Sequence, residues 1–218
     1  MALFYHVCTG IFSVAVRSLA SYQVEGKEHV PAGPVIVVAN HLSFIDPPLL
    51  GASLGRRMVF LAKRELFHGL GGWCVRTYGA VAIRRDGFDR RGIEEAEAML
   101  RGGAALGIFP EGRRHPQGGM GRGQAGAVLL ACRTGVPLLP VGITGTERVQ
   151  KPKDVFSHPK IRVAIGETIS LPRSEDVVSR AQLAEWHHEV MTAVARLLPE
   201  PYQGTYRPHG AGALALGD

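Results

Sequence analysis

The run Pro34–Ala39, Pro-Val-Ile-Val-Val-Ala, constrains the fold of this chain more than any other feature. It is apolar throughout and dense in β-branched residues, so it lacks the in-out alternation of a half-solvated strand. Strands covered on both faces read this way, and they belong to parallel sheets with helices on each side. Met58–Ala62, Ala80–Ile83, Ala105–Phe109, Leu138–Ile143 and Ile161–Ile165 are further short strand candidates. Helix-like stretches fall between and after them at Pro47–Leu54, Asp89–Arg101, Gln124–Thr134 and Val178–Leu198. The third of these stops at Gly135 with Pro137 just beyond, a strong helix terminator. The alternation predicts an α/β fold: a mixed, largely parallel sheet flanked by helices. With 218 residues the chain is long enough to bury a substantial core.

Leu3–Ala20 is mostly apolar but is broken by His6 and Arg17, and it lacks the basic start and cleavage site of a signal peptide. His6, Gly10, Ser13 and Arg17 recur on one side of a helix, while Phe4, Val7, Ile11, Val14 and Leu19 line the rest. The reading is an N-terminal amphipathic helix suited to a bilayer interface, with packing on the domain as the alternative. Lys63–Tyr78, which mixes bases with aromatics, is a second interfacial candidate. From Pro199 onward the chain is rich in Gly, Pro and Ala and is expected to fray.

The formal net charge is +6, and the bases crowd between Gly51 and Lys160, among them Arg56, Arg57, Arg84, Arg85, Arg113 and Arg114. Such a field favours an anionic partner. The three cysteines are widely spaced and fit a reduced protein better than a disulfide framework. No nucleic-acid reading motif accompanies the basic residues, and nucleic-acid binding is not expected.

Four segments carry chemistry. Asn40-His41-Leu42-Ser43-Phe44-Ile45-Asp46-Pro47 follows the strand ending at Ala39, and ligands in α/β sheets sit beyond the carboxyl ends of strands. A separation of five residues puts His41 and Asp46 on different sides of any continuous helix. Pro47 suits the first helical position and would make Asp46 the N-cap, with His41 in a turn that folds back toward the carboxylate. A carboxylate on one imidazole nitrogen fixes the tautomer and leaves the other nitrogen free to take a hydroxyl proton. Taken alone, the segment fits a plain helix cap and a turn histidine equally well. Gly79–Asp86 ends a strand on Arg84 and Arg85, of which one should face the site to grip a phosphate. Phe109-Pro110-Glu111-Gly112-Arg113-Arg114-His115 follows another strand and leads into the glycine-rich Gly118–Gly126. It lacks the lysine and spacing of a nucleotide-hydrolysing P-loop. Its arginines suit a phosphate, and Glu111 suits a glycerol hydroxyl or an arginine. Gly135–Val141 is a helix stop entering a strand, and its apolar residues suit core or acyl-chain lining.

In this order the four segments resemble the lysophospholipid acyltransferase family, the 1-acylglycerol-3-phosphate acyltransferases in particular. The likeness runs from about Val24 to Ile165. His41 and Asp46 match the family's histidine–aspartate motif, with Asn40 and Ser43 fitting as well. Gly79, Ile83 and Arg85 match its second motif, which selects Arg85 over Arg84. Pro110, Glu111, Gly112 and Arg114 match the third, and Val136, Pro137 and Pro140 the last. The chain departs from the family at Ala82, often an aromatic, at Arg113, often threonine, at His115, often serine, and at Gln124, where a base is common.

The resemblance implies a glycerol-3-phosphate acyltransferase-like fold and a three-part chain: a membrane-associating helix over 1–22, an acyltransferase domain over 23–199 and a flexible tail over 200–218. It implies His41 and Asp46 as the catalytic pair, and Asn40, Ser43, Arg85, Glu111, Gly112 and Arg114 as substrate-binding residues. The expected acceptor is a lysophospholipid and the expected donor acyl-CoA or acyl-carrier protein, with no metal and no cofactor. The expected location is the cytoplasmic face of the cell membrane, bound without spanning it. A thioesterase and a non-catalytic membrane or CoA-binding module are the rival readings.

Overall fold

The computed structural model describes residues 2–63, 72, 81–83, 90–173 and 178–207. Among the described residues, seven strands form one sheet: β1 (Ser21–Glu25), β2 (Val35–Ala39), β3 (Met58–Lys63), β4 (Val81–Ile83), β5 (Ala105–Ile108), β6 (Leu138–Thr144) and β7 (Lys160–Ile165). The order is β1-β7-β6-β2-β5-β3-β4. Every neighbouring pair is parallel except β6 and β7. The helices are α1 (Ala2–Leu19), α2 (Asp46–Leu54), α3 (Arg90–Arg101), α4 (Gly126–Thr134) and α5 (Arg180–Arg196).

β2 lies between β5 and β6, and all five of its residues are buried. Successive strand side chains point to opposite faces. Val35, Val37 and Ala39 therefore pack with Val16 of α1 and with Leu49 and Leu50 of α2. Ile36 and Val38 pack with Ala96 and Leu100 of α3, Leu130 of α4 and Val190 and Val194 of α5. This two-sided core is what the unbroken apolar run anticipates. Cys132 lies in it, fully buried.

β1 has no counterpart in the sequence reading. Its sequence, Ser-Tyr-Gln-Val-Glu, is short and polar, and it lies at the edge of the sheet, paired only with β7. An edge strand buries little and leaves no apolar run to detect.

The amphipathic expectation for α1 holds, with a different division of faces. Tyr5, Val16 and Ala20 are buried, and Tyr5 Oη accepts the main-chain N–H of Met58 at 3.0 Å. Val7, Ile11 and Val14, spaced as one helical face, are exposed by 50%, 66% and 66%. The apolar residues are thus split between an inward and an outward stripe. Among the described residues, no helix is long and apolar enough to cross a membrane.

The tail also differs from expectation over its first part. Met120 N donates to Tyr202 O at 2.9 Å and Thr205 N donates to Met120 O at 3.2 Å. Tyr206 is buried, and its Oη accepts the N–H of Gly123 at 3.0 Å. Residues 200–207 therefore pack against the glycine-rich stretch, because aromatic rings at 202 and 206 give an otherwise polar segment something to bury. Residues 208–218 and most of Lys63–Tyr78 lie outside the described residues.

Candidate active site

β5, β2 and β6 run side by side in the same direction, so the segments following Ile108, Ala39 and Thr144 emerge together at one edge of the sheet. The turn after β2 carries His41 and Asp46. His41 Nδ1 lies 2.8 Å from Asp46 Oδ2. The same oxygen accepts the main-chain N–H groups of Leu42 at 2.7 Å and Ser43 at 2.8 Å. Asp46 is fully buried, while the His41 side chain keeps 17% of its surface exposed. With an ionised carboxylate at Nδ1, that nitrogen carries the proton and Nε2 carries the lone pair. Phe109 stacks on the imidazole with ring centroids 4.1 Å apart, and Phe60 stacks behind Phe109 at 6.1 Å.

Asp46 does not act as the expected N-cap. Helix α2 begins at Asp46 itself, with Ile45 as the preceding residue. The local sequence explains why. Pro47 and Pro48 have no N–H to cap, and the N–H of Leu49 already donates to Ile45 O at 3.0 Å. With no helical donor ahead of it, the carboxylate turns back and gathers the N–H groups of the turn and the histidine.

Three of the residues expected to bind substrate brace this turn. Asn40 is buried, donating from Nδ2 to Ile143 O at 2.9 Å and accepting Ile143 N at 2.8 Å, as a further peptide of β2 would. Ser43 is buried and its hydroxyl donates to Val149 O. Glu111 has a side chain only 1% exposed. Its Oε1 accepts His41 N at 3.1 Å and its Oε2 accepts Gly121 N at 2.8 Å. An unpaired buried carboxylate is costly, and the main-chain donors are what make this position tolerable. Burial holds its pKa up at about 7, against the two N–H bonds that lower it.

Gly112 sits at φ 67°, in the left-handed region, where its N–H closes a turn onto Phe109 O at 3.0 Å. That turn carries Arg113 and Arg114 outward, and both are exposed. Arg114 is thus available to a ligand in a way that Glu111 is not. Gly79, Arg84 and Arg85 lie outside the described residues.

Sequence reasoning missed Phe109 as the wall behind His41, having read it only as a strand end. It also missed Gln150, whose Nε2 donates to Leu42 O at 3.2 Å and Glu147 O at 2.9 Å. Contacts made between residues far apart in the chain leave no local signal.

An imidazole backed by a buried carboxylate, with exposed arginines on the neighbouring loop, is an arrangement that can accept a proton beside an anion. Residues 21–144 match the sequence model of the acyltransferase family, and the chain belongs to that family. It is 28% identical over 189 residues to the chloroplastic 1-acyl-sn-glycerol-3-phosphate acyltransferase LPAT1 of Arabidopsis thaliana, covering 82% of this chain and 52% of that protein. It is 34% identical over 148 residues to the lyso-ornithine lipid O-acyltransferase of Pseudomonas aeruginosa, covering 63% of this chain and 56% of that one. The crystal structure of the 1-acyl-sn-glycerophosphate (LPA) acyltransferase PlsC from Thermotoga maritima superposes with a TM-score of 0.64 at 29% identity, over 84% of this chain and 75% of that one. The chain spans about half the length of the first curated relatives it matches.

Proposed function

We propose that this chain moves a fatty acyl group from a thioester, acyl-CoA or acyl-carrier protein, to the free hydroxyl of 1-acylglycerol-3-phosphate or a related lysophospholipid, as a step of phospholipid synthesis. The observation that carries the reading is the His41–Asp46 contact on a turn braced from every side. In this mechanism His41 Nε2 takes the acceptor's hydroxyl proton as the oxygen attacks the thioester carbonyl. Asp46 stabilises the imidazolium that forms. The tetrahedral intermediate collapses with loss of the thiolate, which recovers the proton from His41. Arg114, and Arg85 by its match to the family motif, would meet the acceptor phosphate through forked hydrogen bonds.

Replacing His41 with Ala should lower kcat by about 10²–10⁴. Full acyl transfer by the purified His41→Ala protein, followed with thioester and lysolipid, would end the proposal. Thioester consumption measured with and without lysolipid separates the transferase from a thioesterase, which needs no acceptor.

The outward stripe Val7, Ile11 and Val14 supports docking of α1 in a bilayer interface, where exposed apolar side chains lose contact with water. Ile11→Asp should weaken co-sedimentation with lipid vesicles by about tenfold, since its side chain is worth about 1.5–3 kcal/mol when fully buried. Its thermal midpoint should stay that of the unaltered protein. Unchanged vesicle binding would assign the stripe to another partner.

A further inference from the structure

The loop after β5 holds a second histidine that the catalytic reading does not use. His115 N donates to His41 O at 2.7 Å, while Glu111 Oε1 accepts His41 N at 3.1 Å. Both polar groups of the His41 main chain are therefore held by one short turn. The His115 side chain completes the arrangement. Its Nε2 lies 3.1 Å from Glu111 Oε2, the oxygen that also accepts Gly121 N at 2.8 Å. Gly121 is a glycine for a visible reason. A Cβ there would stand 2.5 Å from His115 Cε1 and 2.6 Å from its Nε2, so the imidazole fills the space a side chain would need.

We infer that His115 is a positioning residue for the His41 base: wedged against Gly121, its imidazole holds the Glu111 carboxylate on the main chain of His41. The inference rests on His41 being that base. His115 Nε2 and Glu111 Oε2 stand 3.1 Å apart, and this contact limits the swing of the carboxylate. Oε1 then points at the His41 N–H, and the peptide that carries the base cannot swing. Serine, frequent at this position in the family, has no ring to fill the space above Gly121. A large residue at 115 and a glycine at 121 therefore form a matched pair in this chain. The side chain acts from behind the turn, so its loss should misplace the base rather than weaken acceptor binding.

The test uses the full chain with steady-state kinetics in both substrates, for His115→Ala, His115→Gln, Gly121→Ala and the double variant His115→Ala/Gly121→Ala, alongside His41→Ala. Base misplacement of a fraction of an ångström should cost about tenfold in kcat. His115→Ala should show that loss with the acceptor KM within about twofold of the starting value. Gln, whose side-chain amide reaches Oε2, should restore most of the rate. Gly121→Ala alone should be impaired, because its methyl meets the ring. Adding it to His115→Ala should cost little more, so the two changes should be strongly non-additive. If His115→Ala does not fold, the rescue by Gln and the Gly121→Ala result still decide the matter. A raised acceptor KM with unchanged kcat would make His115 a substrate ligand and overturn the inference. So would Gln failing as badly as Ala, or strict additivity with Gly121→Ala. An inactive His41→Ala beside a fully active His115→Ala would sink the positioning role alone, whereas a fully active His41→Ala would sink both.

Discussion

The turn after β2 and the loop after β5 meet at one edge of the sheet, yet they are built by opposite rules. In the β2 turn the side chains of Asn40 and Ser43 and one oxygen of Asp46 are committed to near or distant partners, and all three residues are buried. In the β5 loop Glu111 is buried and bonded, but Arg113 and Arg114, two and three residues on, are exposed. His41 is held in place in advance, as the proposed base would need to be to lower the cost of reaching the transition state. The arginines are left to adjust to whatever anion arrives. The family likeness has the same shape: the catalytic pair matches throughout, while the departures at Arg113, His115 and Gln124 fall in or after the β5 loop. Relatives named for lysophosphatidate and for lyso-ornithine lipid acylation both match this chain.

The contrast breaks first if the locked turn proves tolerant. In Asp46→Asn the amide oxygen can take the place of Oδ2 and keep the contacts with Leu42 N, Ser43 N and His41 Nδ1, while the NH2 takes the place of Oδ1, a buried atom with no partner. What is lost is the negative charge that would stabilise the imidazolium formed when His41 takes the hydroxyl proton. The expected loss is about 10³–10⁴ in kcat, the upper end of general-base effects, read by steady-state acyl transfer. A loss under tenfold would show that Asp46 only shapes the turn.

The adaptable side is tested by Arg114→Ala. A charge-assisted bond to phosphate is worth about 1.5–3 kcal/mol, so kcat/KM for 1-acylglycerol-3-phosphate should fall by about 10–100-fold. A lysolipid acceptor without a phosphate should be affected much less. Equal losses for both acceptors would move Arg114 out of headgroup recognition and into the architecture of the loop.

The two regions are unequally legible in the sequence. The core of the sheet is plain there, because a buried central strand such as Val35–Ala39 is apolar at every position. The pairing of His41 with Asp46 is legible through their five-residue separation, which rules out one continuous helical face, and through Pro47, which starts the helix after a turn. The direction in which Asp46 turns is harder to see, although Pro48 holds the clue by removing a second donor from the helix start. The braces are illegible for a physical reason. Asn40 bonds to Ile143 and Ser43 to Val149, both more than a hundred residues away, and a side chain's chemistry does not reveal which distant backbone it will meet. As a result, the bracing of the turn by buried polar residues beside His41 and Asp46 does not show in the sequence. The packing of 200–207 is hidden because Gly and Pro content outweighs Tyr202 and Tyr206.

Glu111 joins the two regions, and its titration offers the finest test. Burial raises its pKa to about 7, well above an ordinary glutamate. The folded protein therefore prefers the protonated form. This contribution to stability is complete at acid pH and is lost as pH rises through about 7. His115 moves the other way: burial first, then the charges of Arg113 and His41, lowers its pKa and makes it resist a second proton at acid pH. The pair is thus most comfortable with one proton between its two side chains. Thermal unfolding of the unaltered protein should lose stability between about pH 5 and 7. Glu111→Gln cannot ionise, so it should show a flatter profile across that window, even though its overall midpoint falls because an amide serves the His41 and Gly121 N–H groups less well. The expected difference in slope amounts to about 1–2 kcal/mol across the window, since one unit of pKa corresponds to about 1.4 kcal/mol. Parallel profiles would mean that Glu111 keeps its charge at neutral pH, held by the two main-chain donors and by His115. The β5 loop would then be as fully locked as the turn it supports.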